Sequence, residues 1–389
     1  MPGGYKGPVK GVGDLRVGST LVRVKKNIVL VSVIMVLLVL LLFLLLPDGK
    51  NNGAALSEYS RGDDLIKFTS NAIYNRTYPL TPPVSTPNGR KYRIGLISDL
   101  DTNSKASDSK NLWYAYYLKG YLTINAYHDK VSVQFDDDST KLTSQLSQGG
   151  RGMELSELIC FNGKLYTVDD RTGVVYEVQE KAVIPWTILP DGDASSGKGF
   201  KGEWMARKGD NLFVGGLGKE WTTVTGELVN YFPQWVKVIS YQGSVHHLPW
   251  KNNYNAMRQK AGYDYPGYMI HESGVWSSVH KRWFFLPRRA SNEKYEEQAD
   301  ERRATNLLIS CCEEFKDIKV SKIGALNPIR GFSSFKFVPG TNDEVIVALK
   351  TEEDQGKIAT YVTAFDLKGN ILLEDEKFSD VKFEGIEFI

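Results

Sequence analysis

Residues 155–189 read LSELICFNGKLYTVDDRTGVVYEVQEKAVIPWTIL. This stretch contains four short apolar or alternating runs, separated by turns that carry Asn-Gly at 162–163 and Thr-Gly at 172–173. Runs of this length, rich in β-branched and aromatic residues and bounded by such turns, are typical of antiparallel strands. The stretch therefore predicts a four-stranded meander, with strands at 155–161, 164–168, 174–178 and 184–189.

The meander recurs along the chain, and each recurrence begins with an oxygen-bearing side chain at the start of its first strand. The five residues in this register are Ser156, Glu203, Glu272, Ser333 and Glu384. Their spacings are 47, 69, 61 and 51 residues. These spacings are typical of β-propeller blades that carry loop insertions.

The two ends of the repeat complete each other. The first unit has only three strand candidates, at 92–98, 114–124 and 130–135, whereas the last unit ends after a single strand at 381–389. If that last strand completes the first sheet, no sheet edge is left open. We therefore predict an all-β fold, a five-bladed β-propeller over 92–389 closed by the C-terminal strand.

The first strand of each blade lines the central channel of a propeller, so the five residues of the register are expected to converge on one axis. An alternative is that Ser and Glu at strand starts only satisfy turns. If they do converge, their ligand atoms are all oxygens, and a wide, flexible oxygen ring suits Ca²⁺ better than Mg²⁺.

The predicted loops mix carboxylates, cations and aromatic residues. The clusters are Asp99 with Asp101, Asp169-Asp170-Arg171, Lys219-Glu220-Trp221, Arg288-Arg289 and Glu352-Glu353-Asp354. Each can be a solvated face. Cations beside a carboxylate-held metal are also what phosphoryl transfer requires, because they neutralise phosphate oxygens while a carboxylate orients water. Trp204 or Trp221 can then stack a nucleobase.

The near-neutral total of 48 Lys and Arg against 46 Asp and Glu hides an asymmetric distribution. Residues 1–27 carry six basic residues and one acid, so this tail is +5 while the rest of the chain is −3. Residues 28–46 are apolar except for Ser32, and a segment of this length can cross a bilayer. The basic flank predicts a signal anchor with a cytoplasmic tail, 1–27. A cleaved signal peptide is the alternative.

Residues 47–91 are polar and rich in proline, which predicts a lumenal stem. The sequon Asn75-Arg76-Thr77 falls in this stem and predicts N-glycosylation at Asn75. We expect a single-pass type II protein of the Golgi or endoplasmic reticulum membrane, with a possible soluble, secreted form after cleavage of the stem. Of the three cysteines, Cys311 or Cys312 permits a linked homodimer, and a dimer through a propeller face is an equal alternative.

Several segments resemble the calcium-activated nucleotidases of the apyrase family, most closely its vertebrate branch. The likeness runs from about Lys91 to the C-terminus, and its motifs keep their order. The segments are Ile97–Thr102, Gly150–Leu158, Tyr166–Gly173, Gly215–Trp221, Phe285–Ser291, Gly331–Phe337 and Phe383–Ile389.

The resemblance implies a five-bladed propeller that holds Ca²⁺ in its channel and hydrolyses nucleoside di- and triphosphates to the monophosphate and phosphate. The family's calcium ligands correspond to the five register residues selected above, with Glu157 beside Ser156. Similarity to the membrane-anchored branch implies a preference for UDP and GDP, and a role in glycosylation through removal of UDP. We expect no nucleic-acid partner.

The resemblance also suggests roles for the loop clusters. We expect Asp101 or Glu157 to orient the attacking water, and Arg288 to stabilise charge. The residues expected to bind substrate are Asp99, Asp170, Arg171, Lys219, Trp221 and Arg289. Three alternatives remain: a secreted enzyme that prefers ATP and ADP, a propeller glycoside hydrolase, and a calcium-binding propeller without catalysis.

Overall fold

The computed structural model describes residues 12–17, 20–25, 73–107 and 109–389. The chain divides into two compact units, Met1–Ala72 and Ile73–Ile389. In the first unit, β1 (Val12–Val17) pairs antiparallel with β2 (Thr20–Lys25). The predicted transmembrane segment 28–46 and most of the predicted stem lie outside the described residues. Within the residues that are described, no helix has the length and apolarity needed to span a membrane.

The second unit is built from antiparallel sheets, and its first two blades follow the meander pattern of the sequence. Blade 1 contains β3 (Val84–Thr86), β4 (Gly89–Ser98), β5 (Trp113–Ile124) and β6 (Val131–Ser144), with a 3-10 turn at Asp101–Ser104. Blade 2 contains β7 (Leu155–Phe161), β8 (Lys164–Asp169), β9 (Val174–Val178) and β10 (Val183–Ile188). The meander predicted at 155–189 is confirmed to within one residue at each strand end.

Blade 3 carries the largest insertions. Its sheet contains β11 (Trp204–Lys208), β12 (Asn211–Gly215), β15 (Trp235–Ser240) and β16 (Val245–Pro249). Between β12 and β15 lie a hairpin, β13 (Trp221–Thr222) with β14 (Leu228–Asn230), and a 3-10 turn at Phe232–Gln234. Helix α1 (Lys251–Lys260) follows β16 and buries Tyr254, Met257 and Arg258 on one face, as residues three and four apart do on a helix.

The remaining strands form two more blades and the closing strand. Blade 4 contains β17 (Tyr268–Ser277), β18 (Arg282–Ser291), the short helix α2 (Glu297–Asp300), β19 (Leu307–Cys311) and β20 (Ile318–Lys322). Blade 5 contains β21 (Arg330–Phe337), β22 (Val345–Asp354), β23 (Lys357–Asp366) and β24 (Ile371–Ser379). The last strand is β25 (Phe383–Phe388).

Strand β25 completes blade 1, whose sheet order is β25-β4-β5-β6. Phe388 pairs with Ile94, and the backbone N–H of Ile389 donates to the Arg93 carbonyl at 3.0 Å. The inner strands contact one another in the ring β7-β11-β17-β21-β25 and back to β7. The predicted five-bladed propeller closed by the C-terminal strand is therefore confirmed.

The core lies between neighbouring blades rather than within one sheet. Every residue of β7 and β25 is buried, as expected for strands packed on both faces. One apolar cluster joins blade 1 to blade 5, and in it Leu96 and Ile386 of blade 1 pack with Val347 of blade 5. Truncating one such side chain to alanine typically costs about 2–5 kcal/mol. Closure of the ring is thus stabilised by burial at the blade contacts.

The segment ahead of β3 belongs to the same compact unit, because that unit begins at Ile73. Tyr74 is buried against Phe161, with ring centroids 5.3 Å apart, and the Tyr78 hydroxyl donates to Glu387 Oε1 at 2.9 Å. Phe161 and Glu387 lie at the C-terminal ends of inner strands. The last part of the predicted stem, 73–91, therefore packs against the propeller at the end of the channel opposite the five register residues.

Candidate functional site

The five register residues lie in the first half of the inner strands or, for Glu203, directly before the strand, and four of them sit in β-bulges. The β7–β8 register skips Ser156, the β17–β18 register skips Glu272, the β21–β22 register skips Ser333, and the β25–β4 register skips Glu384. A bulge leaves one residue unpaired and re-aims its side chain. The propeller thus repeats one backbone irregularity at the same height in four blades.

A cavity of about 290 Å³ opens at this end of the channel. We call it the upper cavity. Ten of the predicted site residues line it: Asp99, Asp101, Asp170, Glu203, Lys219, Trp221, Glu272, Arg288, Arg289 and Glu384. These residues come from loops and strands of blades 1 to 4, so the fold joins positions that are up to 285 residues apart in sequence (Asp99 to Glu384).

Three glutamates of the register interact electrostatically, because the charge of Glu272 acts on both Glu203 and Glu384. Burial, together with the charges of Asp170 and Glu272, raises the pKa of Glu203 to about 8 even though Lys201 opposes the shift. Burial and the charges of Glu272 and Asp99 likewise hold the pKa of Glu384 well above its usual range. Crowded, buried carboxylates of this kind are stabilised when a cation lies among them.

The two serines of the register sit in β-bulges of the inner strands and do not line the upper cavity. Ser156 is buried, and its Oγ makes no hydrogen bond within the described part of the chain. Ser333 is also buried, and its Oγ contacts the Phe383 carbonyl only at 3.4 Å. An orphaned buried hydroxyl is costly unless something pairs with it. A hard cation fits this donor set, which contains only oxygens and a buried hydroxyl without a partner.

Cations already compensate part of the negative charge. Arg288 is buried and bonds Glu272, Glu384 at 3.0 Å and Glu353 at 2.6 Å. Lys382 lies 2.9 Å from Asp99 and 3.4 Å from Glu384. Although burial opposes the shift, Lys382, Arg288 and Arg289 lower the pKa of Glu353 to about 2. The upper cavity is therefore a network of alternating charges rather than an acidic hole.

Two lysines of this network were missed by the sequence analysis. Lys201 lies 2.7 Å from Glu203 and also bonds Asp170, and Lys382 contacts Glu384. Each lysine precedes its glutamate by two residues, as Lys201-Gly202-Glu203 and Lys382-Phe383-Glu384. Residues two apart on an extended chain share one face. A lysine at that spacing before a register glutamate is the signal that could have identified both.

Arg289 provides unused donors at the cavity wall. Its Nη1 donates to Asp300 at 3.0 Å, but its Nε and Nη2 are buried and make no hydrogen bond to any described residue. The closest carboxylate to Nη2 is Glu353, at 3.7 Å, which is beyond hydrogen-bond distance. A buried guanidinium with two free donors is prepared for an oxyanion that enters the cavity.

Asp99, Asp101 and Glu154 form a second acidic group, with ligand atoms within 4.8 Å of one another. Asp101 has a positive φ of 47°, and its backbone N–H donates to Asp99 Oδ1 at 2.8 Å. Each carboxylate already has cationic partners: Lys382 for the two aspartates, and Arg151 and Arg171 for Glu154. The register glutamates also have cationic partners, so what sets the register apart from this group is the unpaired hydroxyl of Ser156.

One wall of the upper cavity is aromatic and carries Lys219. Trp221 and Tyr295 line the cavity, and Lys219 Nζ lies 4.1 Å from the centre of the Tyr295 ring. Burial lowers the pKa of Lys219 to about 8, against the opposing charges of Asp300 and Glu220. The expectation that Trp204 can stack a base is wrong, because Trp204 is fully buried and packs against Phe285 in the core.

Four of the residues predicted to bind metal or substrate or to act in catalysis do not line the upper cavity: Ser156, Glu157, Arg171 and Ser333. Glu157 is buried and accepts a hydrogen bond from Ser334 Oγ at 2.7 Å, and Lys336 lies 3.0 Å from it. Burial raises the pKa of Glu157 to about 7. Arg171 donates to Glu154 at 2.9 Å. Neither residue lines the upper cavity. Of the two residues expected to orient water, Asp101 lines the upper cavity and Glu157 does not.

Comparisons with known proteins agree with this site. The sequence model of the apyrase family matches residues 100–389. The chain is 58% identical over 316 residues to soluble calcium-activated nucleotidase 1 of Rattus norvegicus, covering 81% of this chain and 78% of the relative. It is 47% identical over 317 residues to an apyrase of Cimex lectularius, covering 81% and 87%. It is 48% identical over 303 residues to apyrase apy-1 of Caenorhabditis elegans, covering 77% and 84%.

Proposed function

Because this chain belongs to the apyrase family, we propose that it is a calcium-dependent hydrolase that converts nucleoside di- and triphosphates to the monophosphate and phosphate. Membership in the family supports nucleotide hydrolysis as its activity. The observation that carries the proposal is the upper cavity itself, where the unused donors of Arg289 lie in the same space as the register glutamates. An anion and a cation can both be held there.

The residues that would hold calcium are Ser156, Glu203, Glu272, Ser333 and Glu384. Their oxygens match the preference of Ca²⁺ for hard ligands. When bound, calcium supplies positive charge for the phosphate oxygens of the substrate. The relative from Rattus norvegicus is named a calcium-activated nucleotidase, which supports this choice of metal.

The chain's own cations bind and orient the phosphates. Arg289 has two free donors that can form a charge-assisted pair with a phosphate oxygen. Arg288 is held by ion pairs to three glutamates. Its charge is therefore already in position, and no reorganisation is needed when the reaction occurs. Lys219 adds a third cation at the aromatic wall.

Asp101 is the carboxylate best placed to orient the attacking water. Its side chain is 42% exposed, whereas Asp99 and Asp170 are buried and paired with lysines. Lys382 fixes its position at 3.0 Å and Arg151 lies 3.4 Å from its other oxygen. A carboxylate held in this way can accept a hydrogen bond from water and direct it in line with the leaving phosphate.

The aromatic wall supports a base-binding role for Trp221 and Tyr295. Both line the cavity, and aromatic faces accept any base by stacking. We propose UDP and GDP as the preferred substrates, on the likeness to the vertebrate branch. Removal of UDP would then support lumenal glycosylation.

Phosphate release is the direct test of the activity. UDP, GDP, ADP and ATP are incubated with the full-length protein in Ca²⁺, in Mg²⁺ and with a chelator. We expect release from the diphosphates with Ca²⁺ and loss of release with the chelator. Sugar release that resists chelation would instead indicate a glycoside hydrolase. Calcium-dependent melting without phosphate release would indicate a binding propeller.

We further propose that the protein is a type II protein of the Golgi or endoplasmic reticulum membrane, anchored by residues 28–46. Asn75 and Thr77 are exposed, and the Thr77 N–H donates to Asn75 Oδ1 at 2.9 Å, so the sequon lies on the accessible surface of the unit. Protease protection in microsomes tests this topology. Digestion of the propeller in intact microsomes would contradict it.

A homodimer through Cys311 is disfavoured by the structure, because Cys311 is fully buried. Cys312 is partly exposed and is the one of the pair that a second chain can reach. A disulfide-linked dimer, if it forms, therefore requires Cys312. Non-reducing electrophoresis of a Cys312→Ser variant tests this.

A further inference from the structure

A second cavity, of about 360 Å³, opens at the opposite end of the channel. We call it the lower cavity. It lies at the C-terminal ends of the same inner strands that present the register residues at their other ends. Its lining includes Arg207 from β11, Val275 and Trp276 from β17, Phe337 from β21 and Glu387 from β25. No step of nucleotide hydrolysis uses these residues.

Arg207 is the cation without a compensating acid in this cavity. Its guanidinium stacks on the Tyr78 ring, 4.7 Å from the ring centre. Within residues 73–107 and 109–389 it forms no hydrogen bond and no ion pair. Stacking uses the face of the guanidinium, whereas its N–H donors point outward in the plane. Those donors remain available to an anion in the cavity.

The acids that line the lower cavity are already satisfied. Glu387 accepts hydrogen bonds from the Tyr78 hydroxyl at 2.9 Å, the Cys160 N–H at 2.9 Å and the Phe388 N–H at 2.7 Å. Asp343 accepts from Ser277 Oγ at 2.7 Å. The other cation, Lys336, is buried and lies 3.0 Å from Glu157. Among the charged residues that line this cavity, Arg207 is therefore the one with neither a hydrogen bond nor an ion pair to any described residue.

The rest of the wall is apolar and partly aromatic. Trp276 packs edge-on against Trp283, with ring centroids 5.3 Å apart, which fixes the plane that it presents. Val279 stands at the rim and is 58% exposed. A fixed aromatic face next to an exposed apolar rim suits a flat apolar group.

We propose that the lower cavity binds a small organic anion with a flat apolar body, of the aromatic carboxylate class. Its carboxylate pairs with Arg207 and its ring lies against Trp276. This site is separate from the proposed nucleotide site and has a different chemistry. A nucleoside diphosphate carries several charges and would need a cluster of cations, which of these two cavities the upper one provides.

Isothermal titration calorimetry with 1-naphthaleneacetate, on the full-length protein, tests the proposal. We expect one site per chain with a Kd of about 1 mM or tighter, which is ordinary for a ligand of this size. The neutral amide 1-naphthaleneacetamide has the same shape without the charge. It is expected to bind about tenfold more weakly or worse, as for loss of a charge-assisted hydrogen bond.

Two variants locate the binding site. Arg207→Gln removes the cation and keeps the stem, and Val279→Glu places a negative charge at the rim; each is expected to weaken binding about tenfold. Val84→Glu is the matched control, because Val84 is 59% exposed and does not line the cavity. It should bind the probe as the unaltered protein does. Arg289→Gln, in the upper cavity, should also leave probe binding unchanged.

Three outcomes would overturn the proposal. These are the absence of saturable binding up to about 10 mM, ten times the expected Kd, equal affinity for the acid and the amide, and full affinity in both Arg207→Gln and Val279→Glu. Because Val279 is exposed, Val279→Glu tests the site even if Arg207→Gln folds poorly. Phosphate release from UDP is read in parallel, so a failure of the proposed hydrolase is seen separately.

Discussion

The two ends of the channel are built from the same five strands and differ in chemistry. At one end stand Ser156, Glu203, Glu272, Ser333 and Glu384. Four residues further along these strands stand Cys160, Arg207, Trp276, Phe337 and Phe388. The first four of these line the lower cavity, and in the fifth strand it is Glu387 that does so. The distance between the two sets is about 13 Å of extended chain.

The two ends differ in how completely their buried polar groups are hydrogen-bonded. At the lower end the buried acid Glu387 accepts three hydrogen bonds, although burial still raises its pKa. At the upper end Ser156 Oγ, Asp170 Oδ1 and two nitrogens of Arg289 have no hydrogen-bond partner among the described residues. Unsatisfied buried groups typically mark sites that are completed by a ligand. These unpaired atoms support the placement of the proposed calcium and nucleotide sites at the upper end.

The largest effect is expected from Glu203→Ala, which removes a register oxygen from the upper end. We expect calcium-dependent phosphate release from UDP to fall at least about 100-fold, as for loss of an electrostatic partner in an active site. Lys201 keeps Asp170 as a partner, so folding should survive. Steady-state release with a calcium titration measures the effect. Full turnover in this variant would contradict the proposal that the five register residues hold calcium.

Glu376→Ala is the matched control for that variant. Glu376 is an exposed residue of β24, far from the register positions in the strand order. It should leave both turnover and the calcium requirement unchanged. A comparable loss in the control would mean that the measured effect reflects stability, which thermal melting of both variants resolves.

The second effect concerns the free donors of Arg289. Replacing Arg289 with Gln should lower kcat/KM for UDP about 10- to 100-fold, since one charge-assisted hydrogen bond to phosphate is lost. Arg302→Gln is the control, because Arg302 is exposed and pairs with Asp354 outside the cavity. The account is contradicted if both variants behave alike.

A smaller, pH-dependent effect follows from Lys219. Its pKa is about 8, so it is charged at neutral pH and loses its proton as the pH rises towards 9. The substrate phosphate then loses its interaction with the charged lysine. Above pH 8, KM for UDP should therefore rise by at most about tenfold per pH unit. Lys219→Arg keeps the charge and should flatten this rise. KM measured between pH 7 and 9 in both proteins tests it, and an identical rise in both would refute it.

The smallest effect is expected at the lower end. Arg207→Gln should leave phosphate release from UDP within about twofold of the unaltered protein, because Arg207 does not line the upper cavity. The same variant weakens the naphthaleneacetate probe. Loss of phosphate release together with loss of probe binding would mean that the two ends are not independent.

Much of the fold follows from local sequence patterns. The Asn162-Gly163 turn and the alternation on either side fix the blade 2 meander, and the incomplete first unit predicts that β25 closes blade 1. The 69-residue spacing between Glu203 and Glu272 indicates an insertion. It does not say that the insertion holds a hairpin and helix α1. Those elements depend on packing against residues distant in sequence.

The site is predictable where the repeat itself marks it. Glu203, Glu272 and Glu384 are found by their register, and Arg288 and Arg289 by their charge. The partner of each charge is not, because Lys382 meets Asp99 only after the chain closes on itself. The difference between Asp101 at the cavity and Glu157 behind it also depends on which face a bulged strand presents. Such choices are made by tertiary structure.

Calcium binding to the upper end tests the central claim most directly. Isothermal titration calorimetry compares the unaltered protein with Glu384→Gln and with the exposed control Glu376→Gln. We predict one calcium ion per chain in the unaltered protein and in the control, and an affinity at least about tenfold weaker in Glu384→Gln. Equal calcium affinity in all three proteins would contradict the account, because calcium would then bind away from the five inner-strand residues.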